Sequence, residues 1–144
     1  MSMIVSPTAR EAPPEITLRQ VATEIDAVTG ALSIAWVITN TGPERLEILS
    51  VRLPHGQFKS DVQRFEPALD LRPRQSAQFQ TTVRCDEPAG LVTENAFVIF
   101  SVICSEEDWR IFVRIRVVMN PERKPETATE LITTQKVGFS GIPS

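Results

Sequence analysis

Apolar and polar side chains alternate along several short segments of the chain. In the clearest case, Ala77, Phe79, Thr81, Val83 and Cys85 form one row, and polar residues stand between them. The segments 31–39 and 109–118 show the same two-residue period. Successive side chains of a β-strand point to opposite faces of its sheet, so this period predicts strands with one buried face.

The alternation changes phase inside two of the predicted strands. In the first, the apolar positions move from Ile16 and Leu18 to Val21 and Ile25. A β-bulge inserts one residue and causes such a shift, and we expect one near Arg19–Gln20. The third strand, from about residue 44 to residue 53, also changes phase.

Turn-forming residues separate the strands. Asn40–Pro43 ends one strand, because Asn and Gly tolerate positive φ and Pro cannot continue a ladder. The acidic run Glu106–Asp108 predicts a hairpin between two apolar strands. Residues 57–64 are interpreted as loop, with a short edge strand in this segment left open as an alternative, and Pro67 places the next strand at an edge. The pattern predicts an all-β fold, an immunoglobulin-like two-sheet antiparallel sandwich of about seven strands.

Proline-rich stretches at 7–14 and 121–125 suggest the limits of the domain. We expect a flexible N-terminal segment at 1–14, an immunoglobulin-like β-sandwich at 15–119, and a partly extended C-terminal tail at 120–144. The strand from Phe97 to Ser105 is apolar on both faces, so we expect it to be central or to have its second face covered.

The C-terminal tail is too apolar and too β-prone between Glu130 and Phe139 to be only a solvated linker. Two alternatives stay open for it. It covers its own sheet over Ile99 and Ile103, or it adds as a strand to a neighbouring subunit or another partner.

Composition narrows the choice of function classes. The chain has 144 residues, of which 42% are hydrophobic and 23% charged, as in ordinary globular domains. Its net charge of −3 does not favour nucleic acid or an anionic membrane surface as partner. The start lacks the pattern of a signal peptide, and no apolar stretch reaches the roughly 20 residues of a membrane span, so we expect a cytoplasmic protein.

Few residues offer catalytic or metal-binding chemistry. The single histidine, His55, lies in a Pro-His-Gly sequence with no nucleophile or carboxylate beside it, which favours an exposed turn residue. Cys85 and Cys104 match no zinc spacing and are expected to be buried, reduced thiols, with a bridge between them left open. We therefore predict no enzyme activity, no cofactor and no metal.

A row of arginines is the charged feature that stands out. Arg114 and Arg116 point to one side of the last strand, and Arg84 and Arg110 are candidates to join them. The row either solvates a strand face, or meets an acidic partner or the chain's own acidic tail. Together with the tail, it gives the candidate partner-binding residues Arg110, Arg114, Arg116, Leu131, Ile132, Val137 and Phe139.

Three segments carry a family resemblance: Val37–Gly42 at a strand end, Leu71–Ser76 before an alternating strand, and the hairpin from Ala96 to Val118. With these, the chain resembles bacterial immunoglobulin-like domains of the cell-adhesion-related (CARDB-like) and major-sperm-protein-like kind. The resemblance implies a scaffold for protein contacts or a spacer in an assembly, without catalytic residues.

The predicted function is a structural or protein-interaction module in a larger assembly. The partner is another protein, or a second copy bound through the C-terminal tail. The alternative is a ligand-binding accessory domain, for example for carbohydrate. Such a site usually presents an exposed aromatic platform, whereas the chain has no Tyr, and both Trp36 and Trp109 stand among apolar positions.

Overall fold

The computed structural model describes residues 12–137, which form eight β-strands and no helix. The strands pair into two antiparallel sheets, of three strands in the order β1-β2-β5 and of five in the order β4-β3-β6-β7-β8. The predicted all-β two-sheet sandwich is confirmed, with eight strands in place of about seven. Their bounds are β1 Ile16–Ile25, β2 Leu32–Asn40, β3 Leu46–His55, β4 Phe58–Leu71, β5 Ser76–Val83, β6 Val92–Cys104, β7 Glu107–Met119 and β8 Pro125–Lys136.

The order of the strands is immunoglobulin-like. In immunoglobulin nomenclature β1, β2 and β5 correspond to strands A, B and E, and β4, β3, β6 and β7 correspond to C′, C, F and G. The strand β8 lies outside this set, next to β7. The five-stranded sheet is therefore one strand wider on the side of strand G.

The core lies between the sheets and is filled by the inward rows of both. Trp36 is buried, and its indole Nε1 donates a 2.9 Å hydrogen bond to Oγ1 of Thr81. The ring of Phe79 meets that of Phe100 edge-on, with centroids 5.8 Å apart. Because the indole N–H has a partner, the burial of this large side chain leaves no donor unsatisfied. The inward row predicted for β5 is confirmed at Phe79, Thr81 and Val83.

Two bulges explain the phase changes. The register of β1 against β2 shifts between Gln20 and Ala22, which confirms the bulge predicted near Arg19–Gln20. The register of β3 shifts between Ile48 and Ser50, so Leu49 is the extra residue. Because the side-chain period is two, one inserted residue exchanges the faces of everything that follows.

The interpretation of residues 57–64 as loop is wrong for residues 58–64, and the edge strand left open as an alternative is correct. These residues belong to β4, which runs from Phe58 to Leu71 along the edge of the five-stranded sheet, and residue 57 is in the turn before it. Its polar middle remains a strand because β3 pairs along it, from Leu46 opposite Leu71 to His55 opposite Phe58. The edge position expected from Pro67 is confirmed.

The predicted hairpin between β6 and β7 is confirmed, but its turn lies earlier. Ser105 and Glu106 connect the strands with φ of 52° and 66°, and Cys104 pairs with Glu107. Positive φ at both central residues is typical of a type I′ turn, whose twist matches that of the strands. Glu107 and Asp108 consequently belong to β7.

The turn at Asn40 forms for a different reason from the expected one. Neither Asn40 nor Gly42 has a positive φ. The Asn40 amide instead donates to the carbonyls of Glu44 and Leu71, and its Oδ1 accepts the N–H of Gly42. A Cβ on Gly42 would lie 3.3 Å from the backbone nitrogen of Glu15, so glycine is favoured here by a close approach.

Contacts at both sides join the two sheets. The Gln20 side chain donates to the Pro125 carbonyl and accepts the N–H of Thr127, both at 2.8 Å, and so ties β1 to β8. On the other side, Lys59 and Arg84 form a backbone bridge between β4 and the end of β5. These links hold the edge strands of the two sheets together.

Candidate partner-binding surface

The outer face of the five-stranded sheet carries both arginines and large apolar side chains. Strand registers place Arg52 opposite Ile99, and Ile99 opposite Phe112, on this face. We call this surface the arginine-lined face. Its arginines are Arg52, Arg64, Arg110, Arg114 and Arg116, and its apolar members are Leu49, Phe97, Ile99, Ile103, Phe112 and Leu131.

The three arginines of β7 differ in their contacts. Arg116 Nε donates a 3.0 Å hydrogen bond to Oε2 of Glu94. Arg114 Nε is buried without a hydrogen-bond partner and lies 3.9 Å from Oε1 of Glu130 on β8. Arg110 has no carboxylate within 4 Å among residues 12–137. The chain's own tail therefore compensates Arg114 and leaves Arg110 uncompensated.

Arg84 does not join this row. It follows β5, in the three-stranded sheet, and its backbone pairs with that of Lys59. The two-residue period alone could not show this, because it gives the parity of a residue but not the sheet to which its strand belongs.

The C-terminal tail is a strand of its own sheet up to Lys136. In β8, Leu131 lies opposite Arg114 on the outer face and is 47% exposed, whereas Ile132 lies opposite Val113 and packs against the core. The N–H of Val137 donates to the carbonyl of Asp108 at 2.8 Å. Phe139 lies outside the described residues.

The expected cover over Ile99 and Ile103 is not formed by residues 125–137. These residues lie beside β7 at the edge of the sheet, whereas Ile99 and Ile103 are on β6, one strand further in. Ile99 is nevertheless only 7% exposed. Its neighbours across the strands are long side chains, Arg52 and Phe112, which shield it.

A groove of about 400 Å³ crosses the arginine-lined face. On its floor Ser50 lies opposite Ser101, and these two serines are flanked by Arg64 on β4 and Arg110 on β7. Because the two serines are small and the arginines beside them are long, an open space remains above the serines. We call this the serine–arginine groove; Arg52 also lines it.

The charge of the groove is positive. Its lining contains three arginines and one carboxylate, Asp108, which gives a formal charge of +2. Among residues 12–137, none of Arg52, Arg64 and Arg110 has a carboxylate within 4 Å. The groove therefore attracts an anion with side chains that form no ion pair within the described part of the chain.

A second groove, of about 590 Å³, lies at one end of the sandwich and differs in charge. Asp26 and Asp61 line it together with Lys59 and Arg84, so its formal charges cancel. Because its net formal charge is zero, this second groove favours neither an anion nor a cation. The serine–arginine groove is the better candidate for recognising a charged group.

Of the residues that line the serine–arginine groove, the sequence-based candidates included only Arg110 and Val137; the hydrogen-bond donors Ser50, Arg52, Arg64 and Ser101 were missed. The phase change of β3 was a usable signal, since an extra residue at Leu49 turns Ser50 and Arg52 outward. Arg64 lay in a segment interpreted as loop. That Ser50 and Ser101 are neighbours depends on the pairing of β3 with β6, for which the local pattern has no signal.

The other reactive side chains lie apart from this face or are engaged locally. His55 Nδ1 accepts the N–H of Gln57 at 3.1 Å. Both cysteines are free, and burial raises the pKa of each thiol. Within residues 12–137, no three His, Cys, Asp or Glu side chains converge in a way that could hold a metal ion.

No helix in residues 12–137 is long and apolar enough to span a bilayer.

The sequence was also compared with known proteins. A scan against protein-family models finds no match, and a search of curated proteins finds none either.

Proposed function

We propose that this chain is a non-enzymatic protein-interaction module that binds an acidic partner protein through the arginine-lined face, as part of a larger assembly. The observation that carries the proposal is the position of Arg52, Arg64 and Arg110 beside Ile99 and Phe112, without intrachain ion pairs among the described residues. Arginines and aromatic residues are enriched in protein interfaces.

Charge complementarity identifies the kind of partner. The chain as a whole carries −3, yet Arg52, Arg64 and Arg110 have no carboxylate within 4 Å among residues 12–137. An acidic surface placed on the face would find these three guanidinium groups without an ion pair in the described part of the chain, each able to bind a carboxylate with two parallel hydrogen bonds. The half-buried Phe112 and the exposed Leu131 on the same face offer apolar area that a partner can bury.

We also propose a relationship to the CARDB-like and major-sperm-protein-like immunoglobulin domains. The strand order supports it, because β1-β2-β5 and β4-β3-β6-β7 correspond to the two sheets of an immunoglobulin sandwich. Under this proposal the sandwich is a scaffold and its broad sheet is the contact surface. No observation favours the carbohydrate alternative, since Trp36 and Trp109 are 1% and 8% exposed.

Affinity capture with matched variants tests the interaction. The tagged chain, an Arg110→Glu, Phe112→Ala double variant and an Arg84→Glu control are each used to capture proteins from native lysate of the source cells. We expect at least one acidic protein, identified by mass spectrometry, to be retained by the parent chain and by the control but lost from the double variant. Purified, this protein should bind the parent chain with defined stoichiometry.

Two results would count against the proposal. The first is that the double variant retains the same proteins as the parent chain. The second is that light scattering of the purified chain shows a stable oligomer that Leu131→Lys on β8 converts to a monomer, which would make a second copy the partner instead.

A further inference from the structure

We propose that the serine–arginine groove binds a phosphoryl group carried on a side chain of the partner protein. This inference rests on the proposed function, because it assigns a ligand to one part of the arginine-lined face. It concerns the row that crosses three strand boundaries, Arg64–Ser50–Ser101–Arg110, with Arg52 at its side.

The donors of the groove suit a tetrahedral oxyanion. Two serine hydroxyls lie opposite each other on the floor, and arginines lie on both flanks. A phosphoryl group offers three acceptor oxygens pointing in different directions, whereas a carboxylate offers two in one plane. A phosphoryl group can accept hydrogen bonds from donors on four different strands at once, whereas a carboxylate would leave some of these donors without a bond.

The charge of the groove also favours a phosphoryl group over a carboxylate. A phosphorylated side chain carries about −1.5 to −2 near pH 7, and a carboxylate carries one negative charge. The groove has a formal charge of +2, with Asp108 included. A phosphoryl group therefore neutralises the groove nearly completely, whereas an aspartate or glutamate side chain neutralises half of it.

The floor also leaves the space that such a group requires. The volume of about 400 Å³ lies above serines, between Leu49 and Val62 on one side and Val137 on another. These apolar walls can contact the carbon atoms of the side chain that carries the phosphoryl group. An adjacent row on the same sheet, with Arg52, Ile99 and Phe112, has large side chains where the groove has serines.

Amide NMR of the isotope-labelled chain tests the site with small probes. The probes are N-acetyl-O-phosphoserine methylamide, the corresponding aspartate methylamide and inorganic phosphate, at one ionic strength. We expect saturable shifts at Ser50 and Ser101, and binding of the phosphoserine probe about tenfold tighter than that of the aspartate probe. We expect it to be tighter than inorganic phosphate too, because the apolar walls contact the side chain.

Variants locate the binding. Arg64→Gln and Arg110→Gln should each weaken the phosphoserine probe about five- to tenfold, and Arg64→Lys should weaken it less because the charge remains. Arg84→Gln, on the other sheet, should leave the affinity unchanged. These arginines are exposed, so each variant is expected to keep the amide spectrum of a folded chain.

Four outcomes would overturn the phosphoryl site: equal affinity for the aspartate probe, equal or tighter binding of inorganic phosphate, an equal loss in Arg84→Gln, or shifts that do not saturate. Phosphatase treatment of the captured partner separates this inference from the proposed function. If capture depends on Arg110 and Phe112 but survives dephosphorylation, the interaction module stands and the phosphoryl site is wrong. If the probe binds in the groove while no face-dependent partner is captured, the proposed function is wrong.

Discussion

The two outer faces of the sandwich differ sharply in composition. The face of the three-stranded sheet carries mostly hydroxyl and amide side chains and one arginine, Arg19, with Ala35 and Val37 as its apolar members on β2. The arginine-lined face carries five arginines together with phenylalanine, isoleucine and leucine side chains. The polar residues of the first face are Thr17, Arg19, Glu24, Ser33, Thr39, Ser76, Gln78, Gln80 and Thr82.

The first face is well hydrated and exposes little apolar area, whereas the arginine-lined face has apolar area that a partner protein can bury. Small hydroxyl and amide side chains are hydrated without cost, and they present little apolar area to a partner. The half-buried Phe97, Ile103 and Phe112 and the exposed Leu131 offer apolar area that a partner can bury, and such area beside long cations typically marks a contact surface. Both faces point outward because side chains alternate along each strand, so it is the residue types that distinguish one face from the other.

The largest expected effect is a difference in stability between substitutions on the inner and outer faces of β7. Ile111→Ala should lower the free energy of unfolding by about 2–5 kcal/mol, because Ile111 is fully buried and its removal leaves a cavity. Phe112→Ala, the next residue, should cost only about 1 kcal/mol, since Phe112 is half-buried on the outer face. Urea unfolding of the two variants measures both values, and equal losses would mean that the outer face is part of a core.

The next largest effect concerns the hydrogen bonds of Gln20, which tie β8 to β1. Gln20→Leu should lower the free energy of unfolding by about 1–3 kcal/mol, because the Thr127 N–H and the Pro125 carbonyl lose their side-chain partner. Gln78→Leu, on the exposed face of the three-stranded sheet, is the matched control and should change stability by less than about 0.5 kcal/mol. Urea unfolding compares them, and similar values for both would show that the Gln20 link is not stabilising.

The arginine row should contribute little to stability. Arg116→Gln removes an exposed ion pair with Glu94 and should cost less than about 1 kcal/mol, a loss that fades in high salt. Arg110→Gln removes no intrachain pair among the described residues and should change stability by less than about 0.5 kcal/mol. Thermal unfolding at two salt concentrations measures this. A loss of several kcal/mol at Arg110 would assign the arginine to the fold instead of to a partner.

The smallest effect is a pH dependence at the rim of the face. The Arg45 side chain donates hydrogen bonds to both oxygens of Asp70, and this holds the pKa of Asp70 below its ordinary value of 3.8. A folded-state pKa below the unfolded one adds stability above the unfolded pKa, and this stability is lost as pH falls through the folded pKa. Asp70→Asn should therefore lower Tm slightly at pH 7 and leave it unchanged near pH 2.

Arg45→Gln is the partner control for this prediction, because it removes the same hydrogen bonds and should show the same pH dependence. A difference between Asp70→Asn and the parent chain that persists unchanged near pH 2 would contradict the role of the Arg45 contact.

The sequence predicted those features that depend on neighbours along the chain. The β5 row with Phe79, the bulge near Gln20 and the hairpin into β7 follow from local alternation and were confirmed. The exact turn at Ser105–Glu106 was missed because neither residue is a usual choice at positive φ. The strand at 58–64 was missed because its polar middle is held by pairing with β3, which the local pattern does not contain.

By itself, then, the sequence determined that Arg110, Arg114 and Arg116 share a parity, since side chains alternate along any extended strand. Only the tertiary structure decided that Arg110 stands in line with Ser101, Ser50 and Arg64, and that Arg84 stands elsewhere. The physical reason is that alternation is a property of a single strand. The order and register of strands depend on backbone hydrogen bonds and core packing between residues far apart in the chain.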